Sequence, residues 1–130
     1  MTIENFSWWL SNYKIAWERH DPELIATLFS EDAIYKISPF AEDLQDRDAI
    51  VQYWCDISSH QGNVQFAFDI LHVDEDGVGM AHWTAQFNRV TSEKLVYLDG
   101  IMRCQFDHVG QCELFEEWWH SHSIAKDDEL

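Results

Sequence analysis

The stretch CELFEEWWHSH, residues 112–122, sets carboxylates beside indoles and imidazoles. Read as a strand, it sends successive side chains to opposite faces. Glu113, Phe115, Glu117 and Trp119 then share one face, and Leu114, Glu116, Trp118 and His120 the other. Whichever face turns inward, a carboxyl group and an indole go in together. A carboxyl buried against apolar rings has its charged form desolvated, which raises its pKa and suits it to proton transfer near neutral pH. Glu117, between Phe115 and Trp119, is the candidate for that role. Alternation alone leaves the phase of the strand open.

Asp69 and His82 are the second candidate pair. If all four residues of DEDG form the turn between their strands, Asp69 falls opposite His82, and an oriented Asp–His base results. A three-residue turn places Ile70 there instead and separates the two. The competing reading is a surface pair or no contact, worth little either way. His120 and His122 share a strand face and are zinc-ligand types, but a third ligand at fixed spacing is missing, so solvated imidazoles are expected. No glycine-rich phosphate loop and no G-x-S-x-G elbow occurs. Neither a metal nor an organic cofactor is expected.

The elements that must position these groups follow from periodicity. Residues 4–20 repeat Phe6, Trp9, Leu10, Tyr13, Ala16, Trp17 and His20 at helical spacing. Asp21 caps a second helix with Pro22 in its first turn, carrying Leu24, Ile25, Leu28 and Phe29 and stopping at SED. AIYKISPF reads as a short strand that Pro39 ends. A third helix carries Ile50, Tyr53, Trp54 and Ile57 on one side. From residue 63 the period becomes two, giving four long strands with short joins, hence antiparallel neighbours. Helices followed by strands make an α+β domain, with three helices over the concave face of a conical, curved, antiparallel or mixed sheet. Such a cone encloses space, and Tyr13, Trp17, Tyr35, Trp54, Trp83, Met102 and Trp119 are the residues expected to line it as a substrate pocket. Asp99 falls on the opposite, convex face with Tyr97, Ile101 and Arg103, a mixture suited to a dimer interface.

Composition narrows the partners. The chain has 130 residues, enough for one core, and seven tryptophans, more than a small core needs. A formal charge of −16 repels phosphates and anionic lipid, so neither nucleic acid nor membrane is an expected partner. Cys55, Cys104 and Cys112 are an odd set without a secretory leader, and a turn ending on Gly110 in the left-handed conformation slides Cys104 and Cys112 out of register. Reduced thiols and a cytoplasmic location are expected. The closing DDEL resembles a retrieval signal but reads more simply as the end of an acidic tail, residues 124–130, behind a single domain of residues 1–123.

YKIAWERHDPELIATLFSEDAIY, DRDAIVQYW and FDHVGQCELFEEWWH, in that order, resemble the nuclear transport factor 2 superfamily and, within it, the SnoaL-like group. The resemblance runs from about Trp9 to His120. It implies a conical fold with one pocket between sheet and helices, and a homodimer. Members include isomerases, cyclases, epoxide hydrolases, dehydratases and proteins without chemistry. In SnoaL-like cyclases and limonene-epoxide hydrolases an acid stands seven positions after the last-turn glycine, which is Glu117 counted from Gly110. The hydrolases' Arg–Asp pair is lacking, since His82 and Thr84 occupy that strand. Of the ketosteroid isomerase groups, Tyr13 matches the oxyanion tyrosine, while Ser38 precedes Pro39 in place of the base and Met102 stands near the second acid's position. The expectation is therefore a small-molecule pocket in which Glu117 transfers protons in an isomerisation, cyclisation or dehydration of a hydrophobic compound, with Tyr13 or His82 as polar handle. The alternative is the same pocket, or a dimeric interaction module, without chemistry.

Overall fold

The computed structural model describes residues 1–125. Three helices, α1 (Ile3–Glu18), α2 (Pro22–Leu28) and α3 (Arg47–Ser58), accompany six strands. These are β1 (Phe29–Lys36), β2 (Leu44–Gln45), β3 (Gln61–Val73), β4 (Val78–Arg89), β5 (Lys94–Phe106) and β6 (Cys112–Ala125). The helix starts are built by short polar side chains that accept from otherwise orphaned N–H groups. Thr2 accepts from Asn5 N, Asp21 from Leu24 N and Asp46 from Ala49 N, at 3.1, 3.1 and 2.9 Å.

One sheet holds all six strands in the order β2-β1-β6-β5-β4-β3. β1 and β6 run parallel and every other pair is antiparallel, so the sheet is mixed and the fold α+β, as expected. Register shifts interrupt β3, β1 and β6, and such irregularities bend a sheet. β5 is in unbroken register with β4, which keeps Asp99 on the outer face. Gly110 takes φ +88 at the end of the β5–β6 turn, and Cys104 pairs with Phe115 rather than Cys112. All three cysteines are free thiols.

Several boundaries differ from those expected. The second helix ends at Leu28, because Phe29 is already extended and pairs with Cys112. SED therefore belongs to β1, which ends at Lys36 before Pro39. The polar loop before α3 contains a two-residue strand, β2, paired to Ile34 and Tyr35. β6 runs to Ala125, past the stretch 112–122 read as a strand, while the rest of the acidic tail, with DDEL, lies outside the described residues.

The narrow end of the cone is solid. Phe6, Trp9, Phe29, Phe106 and Phe115 are buried there, and Trp9 Nε1 donates to Leu28 O at 2.9 Å. The exposed edge of β3 is covered by α1: Lys14 Nζ donates to Phe66 O at 2.6 Å and Phe66 N donates to Glu18 Oε2 at 2.8 Å. Those contacts occupy backbone groups that an edge strand otherwise offers to other chains. Among the described residues, no helix is long and apolar enough to cross a membrane.

Candidate functional site

The wide end of the cone is hollow. A cavity of about 470 Å³ lies between the sheet and the helices. Helix α1 contributes Tyr13 and Trp17, β1 Tyr35, and α3 Tyr53 and Trp54. From the sheet come Trp83 and Phe87 on β4, Leu98 on β5, and Glu117, Trp119 and Ser121 on β6. Asp56, Ile57, His60, Gln61 and Arg89 complete the lining.

Glu117 is 7% exposed and points inward with Phe115 and Trp119. Glu113, expected on the same face, is exposed, because the register shift opposite Gln105 and Phe106 makes it the extra residue of a bulge. Cys112 turns inward in its place. Across the strand pair Glu117 faces Met102, which is wholly buried. Its carboxyl accepts one hydrogen bond, from Tyr35 Oη to Oε1 at 3.2 Å. Burial pushes the Glu117 carboxyl up to about 8, against the lowering effect of the Tyr35 bond. Burial, and then the nearby Glu117, push the hydroxyls of Tyr13 and Tyr35 far above the usual range and that of Tyr53 to about 12. The phenols stay neutral donors. At neutral pH the carboxyl is mostly a neutral acid.

The walls hold this group by ring packing. Tyr35 stacks on Phe115 with centroids 4.4 Å apart, and Phe115 stacks in turn on Tyr13 at 5.8 Å. Trp119 Nε1 donates to Ile37 O at 3.1 Å, tying the cavity wall to the loop after β1. Trp83, Gly100 and Trp119 lie side by side across β4, β5 and β6. A Cβ on Gly100 would sit 2.4 Å from Trp118 O and 2.8 Å from Trp119 Cβ, so only glycine admits this approach. Trp17 Nε1 donates to Gln61 Oε1 at 2.7 Å, whereas the Nε1 atoms of Trp54 and Trp83 are buried without a partner.

The structure brings Tyr13, Trp17, Tyr35, Trp54, Trp83, Glu117 and Trp119 to one cavity. Met102 is not on its wall but packed in the core opposite Glu117. Asp69 and His82 are corrected by position. They are opposite one another by a different route, since Val73 pairs with Gly79 and a register shift between Ile70 and His72 brings Asp69 to His82, but on the convex face, while Ala81 and Trp83 take the inward places. His82 Nε2 meets Asp99 Oδ1 at 2.9 Å instead, so no Asp69–His82 base faces the cavity. His120 and His122 are exposed, and among the described residues no three His, Cys, Asp or Glu side chains gather as metal ligands. Tyr53, Phe87 and the polar rim of Asp56, His60, Gln61 and Arg89 were not singled out by the sequence. Tyr53 carried a signal, its place beside Trp54 on the apolar side of α3; the rim carried none.

A wider, open trough of about 930 Å³ crosses the convex face along Ala67, Thr84, Asp99 and His120. Its charged groups are solvated or paired, Lys14 with Glu18 and Asp99 with His82. The perturbed carboxyl is in the smaller, inner space, which makes that space the candidate site.

Residues 11–112 match the SnoaL-like domain family. The chain belongs to that family. Solved structures agree on the fold. An isomerase candidate from Bacillus subtilis superposes with a TM-score of 0.81 at 15% identity, over 92% of this chain and 90% of that one. The epoxide hydrolase/cyclase-like enzyme SalBIII, with a role in pyran ring formation in the polyether salinomycin, gives 0.77 at 12% identity, over 88% of this chain and 89% of that one. At these identities the likeness shows the fold alone. No curated protein matches the sequence. The SnoaL-like match ends at Cys112, so Glu117 lies beyond the matched segment and rests on its own geometry.

Proposed function

We propose that this SnoaL-like domain, residues 1–123, binds a small hydrophobic molecule in the inner cavity and that Glu117 transfers protons on it. The reaction is of isomerase, cyclase or dehydratase type and draws on side chains alone. One observation carries the reading: a buried carboxyl, hydrogen-bonded only to Tyr35 and raised to about 8, lines a cavity walled by aromatic rings. Such a group gives a proton in its neutral form and takes one back as carboxylate, a role worth about 10²–10⁴ in rate. Tyr53, a neutral phenol on the same wall, supplies a hydrogen bond to charge that develops on a ligand oxygen, while the single O–H of Tyr35 is given to Glu117. Two proteins that share the fold, an isomerase candidate and a cyclase-like enzyme, are named for the first two of these reaction classes.

The working form is a homodimer in the cytoplasm, joined through the convex face. Trp118, 43% exposed, stands there in a row with Ile101, His82 and Asp69. Large exposed indoles on a sheet face favour burial against a partner.

The deciding experiment is native mass spectrometry of the purified protein, to capture a retained molecule, followed by incubation of that molecule in D₂O. Wild type should exchange a ligand proton about 100-fold faster than Glu117→Gln. Equal rates with retained binding would assign the domain to the non-catalytic binders of this fold.

A further inference from the structure

The inner cavity joins three features that point to one class of ligand. Four tryptophans, three tyrosines and a phenylalanine line it. Faces of such rings attract cations through their quadrupoles, tryptophan most strongly. The only buried charged-type side chain among the described residues, Glu117, forms no ion pair there. The chain as a whole carries −16, a field that gathers cations and repels anions.

We propose that the ligand is an organic cation, a tertiary or quaternary ammonium borne on an apolar ring, seated among these rings with Glu117 as its counter-ion. The proposal rests on the inner cavity being the binding site. It adds the ligand's charge and a consequence for the acid. When the ammonium enters, the neutral Glu117 carboxyl releases its proton to solvent and the carboxylate pairs with the cation. Binding thereby converts a general acid into a general base beside the ligand.

The other titratable or charged groups around Glu117 do not replace that partner. Tyr13, Tyr35, Tyr53 and the buried Cys104 thiol are neutral neighbours. Asp56 adds a second carboxyl to the lining, and His60 Nδ1 is engaged by Asp56 O at 2.9 Å and Ser59 Oγ at 3.1 Å. Arg89, the one Lys or Arg on the wall, is exposed, with its guanidinium carbon 5.8 Å from the Phe87 centroid. Water screens its charge from an incoming ammonium.

Calorimetric titration of the whole protein at pH 7, in two buffers of different ionisation enthalpy, tests the proposal. The probes are benzyltrimethylammonium, its neutral isostere neopentylbenzene, and phenylacetate. The ammonium should bind at least tenfold tighter than either other probe and release about 0.9 proton, the fraction that a carboxyl titrating at about 8 still holds at pH 7. Glu117→Gln, checked for folding by near-ultraviolet circular dichroism, should lose the proton release and most of the preference. Neopentylbenzene binding as tightly as the ammonium would overturn the charge assignment and leave the apolar cavity standing. Phenylacetate binding tightest would overturn it in favour of Arg89. Ammonium binding without proton release overturns the conversion of acid to base, an ammonium preference that survives Glu117→Gln removes Glu117 as counter-ion, and no binding by any probe removes the cavity reading as well.

Discussion

Tyr35 Oη donates to Glu117 Oε1 at 3.2 Å across 82 residues of chain, and among the described residues it is the carboxyl's one hydrogen-bond donor. The bond favours the charged form and opposes burial, which favours the neutral one. Tyr35→Phe should therefore move Glu117's titration above about 8. Carbon-13 NMR of labelled glutamate carboxyls reads this directly. An unchanged or lowered midpoint would contradict the role given to Tyr35.

The raised carboxyl also links stability to pH. A group near 8 when folded and near 4.5 when unfolded binds more protons in the native state between those values. Its contribution is complete below about 4.5 and is lost as pH climbs through 8, by an amount on the order of a few kcal/mol. Glu117→Gln should match wild type at pH 4 and exceed its melting temperature at pH 9. Thermal melts across that range check it, and parallel curves for the two proteins would refute it.

Gly100 is the point where the wall tolerates no side chain. Alanine there meets backbone and Cβ atoms at 2.4 and 2.8 Å, so relief requires the strands to part. Gly100→Ala should cost about 1–3 kcal/mol in urea unfolding and shift the tryptophan emission of the folded state.

The convex face should be separable from the cavity. His82→Ala and Asp69→Asn are expected to leave ligand retention within twofold of wild type, since both side chains point away from the cavity. Trp118→Asp should convert the proposed homodimer to monomer in sedimentation velocity. A dimer that survives the change would place the interface elsewhere.

Much of this arrangement was legible because apolar periodicity is a local property. The spacing of Phe6, Trp9, Tyr13 and Trp17 marks the inward face of α1. What alternation cannot supply is phase and register. Glu113 left the face of Glu117 because a bulge inserts it, a feature decided by pairing with β5. Asp69 and His82 were correctly opposed yet sit outside, since facing each other says nothing about which side of the sheet is inner. Phe29 suits a helix by spacing, but its pairing with Cys112 makes it a strand residue. The polar rim around Arg89 depends on three elements meeting in space, and sequence spacing does not encode that meeting.

β6 comes last among the described elements, yet it sits inside the sheet, parallel to β1 on one side and antiparallel to β5 on the other. The hollow thus has no floor until this strand docks, and the acid arrives with it. The strand's pairing with β5 is a local hairpin, but its parallel pairing with β1 is non-local, and pairing of that kind is slow to form. During refolding, recognition of a ligand should appear no earlier than the pairing of β1 with β6, which brings Tyr35 to Glu117.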